Sequence, residues 1–190
     1  VSVLSYANIG GKQEAQGPLA GYFDELNQDA YFGQKSWEKG ESAMQQFALR
    51  RAMEKGGLIP EDLEYVLAGD LLNQSIGTSF CLRDFKIPFY GLYGACSTMG
   101  ESLSLAALLI DGGFASIVAA MTSSHFCTAE RQYRMPVLYG NQRTPTAQWT
   151  ATASGCCIRP RRTGASGMFF FTVMLGNRLK CWNTMPMRWR

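Results

Sequence analysis

Hydrophobic and polar residues follow two periods along this chain, and the change of period separates helices from strands. The best-defined helix begins at Ser36, a typical N-cap residue, and ends at Gly56 and Gly57. Apolar side chains recur along it at helical spacing; they are Trp37, Ala43, Met44, Phe47, Ala48 and Ala52. We therefore predict an amphipathic helix over 36–57 that packs with this stripe on the rest of the fold.

Short apolar runs further along the chain have the composition of buried strands. They are YVLAG from Tyr65, IPFYGLY from Ile87, ASIVAAMTSSHF from Ala115 and the segment from Trp149 to Ile158. The segments over 71–87 and 97–112 between them have helical patterns. Because helices and strands alternate, we predict an α/β fold with a mostly parallel sheet flanked by helices.

The two ends of this pattern carry weaker signals. Residues 1–31 are predicted to form a Gly-rich loop and one short amphipathic turn or helix. Beyond His125 the chain becomes polar and aromatic, which predicts a long irregular loop that serves either a function or a partner surface.

Composition narrows the class of protein. No apolar run approaches the roughly 18 residues of a membrane-spanning helix, and the first residues lack a secretory signal, so a cytosolic location is the default expectation. The six cysteines form no CxxC pair and do not cluster with the single histidine. We therefore expect no metal site, no disulfide framework and no cofactor.

Charge divides the chain near residue 158. Residues 1–158 contain fifteen acidic and eleven basic residues, a net charge of −4, whereas 159–190 contain seven basic residues and no acidic one. A basic tail of this kind could bind nucleic acid or an anionic membrane. Because the tail has no clean period, we prefer a globular half-domain over 1–158 and an atypical tail over 159–190, frameshifted or disordered, with no nucleic-acid partner.

The strongest candidate for chemistry is Cys96, between a predicted strand and a predicted helix in the run GLYGACSTMGESL. A helix N-terminus attracts anions and favours a thiolate, so Cys96 could be a nucleophile or part of an anion site. The alternative is a small buried residue at a strand–helix junction.

Other candidates follow the neighbouring strands, because ligands of parallel sheets bind beyond the carboxyl ends of the strands. His125 is the only histidine and could serve Cys96 as a base, or simply bond to a neighbour. Arg131 and Arg134 could form a cationic wall for a small carboxylate, or a solvated helix face. The predicted pocket lining is Cys96, Ser97, Thr98, Ser123, Ser124 and His125, with Arg131 and Arg134 less central.

Several long runs, in order, resemble the stage V sporulation protein AD family of thiolase-like proteins in endospore-forming bacteria. The runs are LAGDLLNQ (67–74), GLYGACSTMGESL (91–103), DGGFA (111–115), TSSHFCTAERQYR (122–134) and YGNQRTPTAQWTATASG (139–155). The resemblance implies a thiolase-like fold and a role in moving dipicolinic acid into the developing spore. It also implies binding of dipicolinic acid, partners from the same sporulation operon and a peripheral position on the cytoplasmic side of the spore inner membrane. A homodimer is left open.

The resemblance also indicates what this chain lacks. Thiolase-like proteins consist of two similar halves, and this chain matches the first half of the two-fold repeat. In condensing enzymes the histidine or asparagine partners of the cysteine come from the second half, so we do not expect enzyme activity. Two alternatives stay open: an acyltransferase of the ketoacyl-synthase kind that uses Cys96, and a truncated product without function.

Overall fold

The alternation of helices and strands forms one mixed sheet between helices in the computed structural model, which describes residues 2–133 and 150–160. The strands are β1 (Ser5–Gly10), β2 (Glu25–Leu26), β3 (Tyr65–Gly69), β4 (Phe89–Gly91), β5 (Ile117–Ser124) and β6 (Ala153–Pro160). The helices are α1 (Trp37–Gly56), α2 (Ile76–Leu82), α3 (Thr98–Asp111) and α4 (Phe126–Tyr133).

The six strands lie in the order β2-β1-β6-β5-β3-β4. Three neighbouring pairs are parallel: β1 with β2, β3 with β4, and β3 with β5. Strand β6 lies antiparallel between β1 and β5. The predicted α/β class is therefore confirmed, with a mixed sheet in which, of the six strands described, β6 alone runs opposite to the others.

Helix α1 forms where the sequence predicts it. Ser36 Oγ accepts a hydrogen bond from the backbone N–H of Lys39 at 3.3 Å, and Gly57 ends the helix in the left-handed conformation with φ of 65°. Both features satisfy backbone groups that a helix end leaves unpaired.

Neighbouring residues of β5 supply two separate cores, because successive side chains of a strand point to opposite faces. Ala119 and Met121 belong to the core under α1 and α2. Val118 and Ala120 belong to the core under α3. The sheet is therefore covered on both faces, and its functional groups must lie at strand ends or edges.

The clearest difference from the predicted pattern is β1, since Ser5–Gly10 was expected to be loop. This strand pairs along its whole length with β6, from Ser5 with Ile158 to Gly10 with Ala153. Ala7 and Ile9 point into the protein, and Tyr6 is exposed. β1 is therefore an inner strand of the sheet, between β2 and β6.

Two helices also differ from expectation. The segment 71–87 contains only the short helix α2, because Gln74, Ser75 and Lys86 adopt positive φ and interrupt the helical backbone. The irregular loop predicted beyond His125 begins instead with helix α4. Strand β6 begins four residues later than the predicted Trp149 and extends past Ile158 to Pro160.

Candidate functional site

Three loops leave the parallel strands β3, β4 and β5 at one edge of the sheet. In the strand register, Ala68 pairs with Gly91 and Gly69 pairs with Thr122. Two bonds continue this pairing: the N–H of Leu92 donates to Ala68 O at 2.8 Å, and Thr122 Oγ1 donates to Gly69 O at 3.0 Å. The loops that sequence analysis expected to meet therefore begin side by side.

Gly69 is what allows this close approach. A Cβ at this position would collide with the backbone oxygen of Leu92 and lie 2.8 Å from Thr98 Cγ2. A contact below 3 Å with backbone requires the chain to move. The end of β3 therefore supports both the loop after β4 and the first turn of α3.

Cys96 lies in the 3-10 turn Ala95–Ser97, directly before α3, and its side chain is exposed. Ala95 has a φ of 49°, a left-handed conformation that is strained for a residue with a side chain. Ser97 fixes the turn, because its N–H and its Oγ both bond to Gly94 O, at 3.0 and 2.8 Å. The alternative that Cys96 is a buried core residue is therefore wrong.

Thr98, the first residue of α3, is buried without a hydrogen bond for its hydroxyl. Its N–H is used, since it donates to Ala95 O in the preceding turn. A buried polar atom without a partner costs about 1–3 kcal/mol, and such atoms are uncommon in native proteins. Thr98 Oγ1 is thus an unused donor and acceptor beneath the turn that carries Cys96.

Glu101 brings a negative charge to the same end of α3. Its Oε2 and Ser97 Oγ lie closest to the position that a Cβ on Gly94 would take. An acidic residue in the first turn of a helix interacts favourably with the helix dipole. An anion at this helix end would therefore meet the Glu101 carboxylate as a competitor.

The two predicted serines of β5 point to opposite faces of the sheet. Ser123 lies on the α1 side, where its Oγ donates to Glu41 Oε1 at 2.8 Å and accepts from Gln45 Nε2 at 2.6 Å. Ser124 donates to Ala151 O at 2.6 Å. The hydroxyl of Ser123 is therefore occupied inside the protein.

His125 is buried directly after β5, and both of its ring nitrogens have partners. Its Nδ1 accepts from the N–H of Cys127 at 3.2 Å, so Nε2 carries the proton and donates to Ala30 O at 2.6 Å. Burial lowers the pKa of His125 and favours the neutral ring. As a base for Cys96, His125 would first have to give up one of these bonds, so the Cys–His pair stays a prediction.

Arg131 on α4 contacts the start of α1. It forms an ion pair with Glu38, and its guanidinium lies 5.1 Å from the ring centre of Trp37. Its charge is therefore directed toward α1, and a ligand would have to compete with Glu38 for it. Arg134, the second predicted cation, lies outside the described residues.

Sequence analysis missed a buried polar network on the α1 side of these loops. Glu41 accepts a bond from Ser123 Oγ and shares a hydrogen bond with Thr128 Oγ1, both at 2.8 Å, and burial raises the pKa of Glu41 to about 7. Gln45, one turn later, bonds to Thr78 and Ser123. The signal was available, since both residues extend the stripe of Ala48 toward the start of α1 at helical spacing.

Within 2–133 and 150–160, no three side chains of His, Cys, Asp or Glu come together as a metal site. None of the helices described is both long enough and apolar enough to span a bilayer.

Comparison with known proteins adds the family. The family model described as stage V sporulation protein AD matches residues 1–174 of this chain. The chain belongs to the stage V sporulation protein AD family. It is 42% identical, over 164 residues, to the stage V sporulation protein AD of Bacillus subtilis (strain 168). That match covers 86% of this chain and 48% of the relative, so the chain spans about half of the relative's length.

Solved structures show what fold the family member has. The 3-oxoacyl-[acyl-carrier-protein] synthase III of Aquifex aeolicus VF5 superposes with a TM-score of 0.59 at 14% identity, over 90% of this chain and 58% of that chain. The β-ketoacyl-[acyl carrier protein] synthase III of Thermus thermophilus gives 0.60 at 14% identity, over 90% and 54%. At this identity the likeness concerns the fold alone, which is thiolase-like as predicted.

Proposed function

We propose that this chain contributes the dipicolinic acid site of a stage V sporulation protein AD and so supports uptake of dipicolinic acid into the developing spore. The observation that carries the proposal is family membership over residues 1–174. In the same proposal, the protein acts with other proteins of its sporulation operon. It lies peripherally on the cytoplasmic side of the spore inner membrane.

The α3 end of the strand-end loops is the best candidate for the site. Cys96 is exposed on a strained turn, and Thr98 Oγ1 below it is buried and unpartnered. Dipicolinate is a planar dianion with a ring nitrogen, so it would take donors from a hydroxyl, backbone N–H groups and the positive end of α3. These groups would bind one carboxylate and leave the second for a cation.

The charges near the site set conditions on such binding. Glu101 lies at the same helix end, and Arg131 is engaged by Glu38. A bound dianion would therefore gain if Glu101 lost its charge and if an arginine became available. Arg134 is the second candidate for that cation, as the sequence predicts.

Thermal unfolding with and without dipicolinate tests the proposal, because a ligand that binds only the folded state raises the unfolding midpoint. Benzoate serves as the anion control. We expect a shift with dipicolinate alone, a smaller shift in Cys96→Ala and a larger one in Glu101→Gln. Cys127→Ala, a partly buried cysteine on α4, is the matched control and should behave like the parent chain. Equal shifts in the parent and Cys96→Ala would reject this site.

An acyltransferase is the second candidate, favoured by the exposure of Cys96 on a strained turn before a helix. The bonds at both ring nitrogens of His125 count against it. Incubation with an acyl thioester followed by intact-mass measurement separates the two functions. A stable adduct on Cys96 would support the acyltransferase. The absence of an adduct would favour the dipicolinate-binding function.

A further inference from the structure

The described part of the chain buries an unbroken network of polar side chains on the α1 side of the strand ends. It joins α1 to the loop after β3, to α2, to β5 and to α4. Its members are Glu41, Gln45, Asp70, Thr78, Ser123 and Thr128, each at most 4% exposed. Buried polar groups need matched donors and acceptors, and among the atoms of this network only Gln45 Oε1 is without a hydrogen bond, so the protons of the other groups can be assigned.

The assignment begins at Asp70. This carboxylate accepts from the N–H of Leu72 at 2.8 Å and from both the N–H and Oγ1 of Thr78 at 2.7 Å. Because Thr78 gives its hydroxyl proton to Asp70, it accepts the bond from Gln45 Nε2 at 3.1 Å. The second N–H of Gln45 donates to Ser123 Oγ at 2.6 Å. Ser123 is then left with its proton for Glu41.

The protonation state of Glu41 follows from the number of protons available to the contacts of its two carboxyl oxygens. Ser123 donates to Oε1, and Oε2 lies 2.8 Å from Thr128 Oγ1. Thr128 Oγ1 also lies 3.0 Å from His125 O. With an ionised Glu41, the single hydroxyl proton of Thr128 faces two acceptors. With a proton on Oε2, Glu41 donates to Thr128, Thr128 donates to His125 O, and each contact has one proton.

The charges around Glu41 agree with a neutral carboxyl. The titratable and charged groups on the surrounding elements include Glu38 on α1, Asp70 after β3, Cys81 on α2, His125 before α4, Glu130 and Arg131 on α4, and Cys156 on β6. Asp70 and Glu38 oppose a negative charge on Glu41, and Arg131 is paired with Glu38. Burial raises the pKa of both cysteines and lowers that of His125, so all three are neutral. Within the described residues, neither oxygen of Glu41 bonds to a cation.

We infer that Glu41 holds a proton in the folded protein and shares it with Thr128, and that losing this proton breaks the bond from Thr128 to His125 O at the start of α4. The Glu41–Thr128 bond is the direct polar link between α1 and α4 in this network. When Glu41 ionises, the hydroxyl proton of Thr128 turns from His125 O to Glu41, so the link to α1 is kept and the bond to His125 O is lost. The proton is exchanged with solvent, and no other bond forms or breaks. We call the contacts among Glu41, Thr128 and His125 O the joint. They do not depend on the proposed ligand.

The sign of the effect follows from the two states of the chain. Burial on folding raises the pKa of Glu41 from 4.5 to about 7. Between these values the folded state binds the extra proton, so stability falls as pH rises from about 4.5 to about 7 and is level above that. The folding equilibrium constant should drop on the order of a hundredfold across this window.

Denaturant unfolding of the full chain between pH 4.5 and 8.5 tests the joint in the parent, Glu41→Gln and Glu54→Gln. The neutral amide can accept from Ser123 and donate to Thr128, so Glu41→Gln should fold and lose the hundredfold dependence. Glu54 is exposed on the same helix, and its variant should keep the parent profile. The lowered pKa of His125 makes stability fall as pH drops below 6.5, which is opposite to the effect of Glu41. Subtracting the stability profile of one variant from that of another removes this contribution, because all three chains contain His125. Parallel profiles for the parent and Glu41→Gln would overturn the inference.

Infrared spectroscopy gives a second readout that does not depend on the variant's stability. The folded parent should show the carbonyl band of a protonated buried carboxyl at pH 6 and lose it by pH 9. Hydrogen exchange at the start of α4 should accelerate over the same pH range by more than the intrinsic base-catalysed rise, and by more than in Glu41→Gln. A parent chain without this band at pH 6 would overturn the inference even if Glu41→Gln failed to fold.

Discussion

The two sides of the strand-end loops are built in opposite ways. On the α1 side, Ser123 and Glu41 are buried in a network where each hydroxyl has a partner. On the α3 side, Cys96 is exposed, Ala95 is strained and Thr98 Oγ1 has no partner. On the α1 side only Gln45 Oε1 of the network lacks a hydrogen bond. A largely satisfied network fixes a structure, whereas a strained turn beside an unpartnered hydroxyl persists where binding can use it. The α1 side therefore stabilises the fold, and we call it the frame. The α3 side is the candidate site.

The largest predicted effect comes from the residue that both sides share. Gly69→Ala places a Cβ against the backbone oxygen of Leu92 and against Thr98, so the loop after β4 must move. We expect a loss of more than about 3 kcal/mol in the free energy of unfolding, measured by denaturant titration. Gly155→Ala on β6 is the control, because a Cβ there has no neighbour within 4 Å. Equal losses in both variants would show that Gly69 does not support the loop after β4 and the first turn of α3.

The next prediction compares neighbouring residues on opposite faces of β5. Ser123→Ala leaves Glu41 Oε1 and one N–H of Gln45 buried without that partner, which should cost about 3 kcal/mol. Ser124→Ala removes one bond to Ala151 O at a less buried position and should cost about 1 kcal/mol. Unfolding titrations of both variants give the comparison. A larger cost for Ser124→Ala would reverse the assignment of frame and site.

The smallest effect is expected on the α3 side. Thr98→Val exchanges an unpartnered buried hydroxyl for a methyl group of similar size. Removing such a group should leave stability unchanged or raise it by about 1 kcal/mol, and weaken dipicolinate binding. Thermal unfolding with and without the ligand measures both. A clear loss of stability would mean that Thr98 Oγ1 has a structural partner in the protein.

The sequence pattern predicts the parts of this fold that depend on local periodicity. Helix α1, the strand that ends at Gly69 and the turn at Cys96 all follow from apolar spacing, caps and turn residues. Strand β1 does not, because SYANIG is short and its pairing with β6 joins residues about 150 positions apart, from Ser5 to Ile158. Such pairing leaves no local signal.

The candidate site divides in the same way. Cys96 could be placed from the strand, turn and helix around it, whereas Glu41 looked like one polar residue of a surface helix. Its partners Ser123 and Thr128 lie 82 and 87 residues away in the sequence. Only the fold brings them together, so helical spacing can place Glu41 on the stripe of Ala48 but does not show which groups its carboxyl contacts.

The division between a stabilising α1 side and a binding α3 side is tested most directly by the rate at which Cys96 is alkylated, with and without dipicolinate. Peptide mass analysis follows each cysteine, and the buried Cys81, Cys156 and Cys157 serve as internal controls. We predict that Cys96 reacts before the other cysteines that the structure describes, that dipicolinate slows its reaction, and that benzoate does not. An unchanged rate for Cys96 at saturating dipicolinate would contradict the assignment of the α3 side as the binding site.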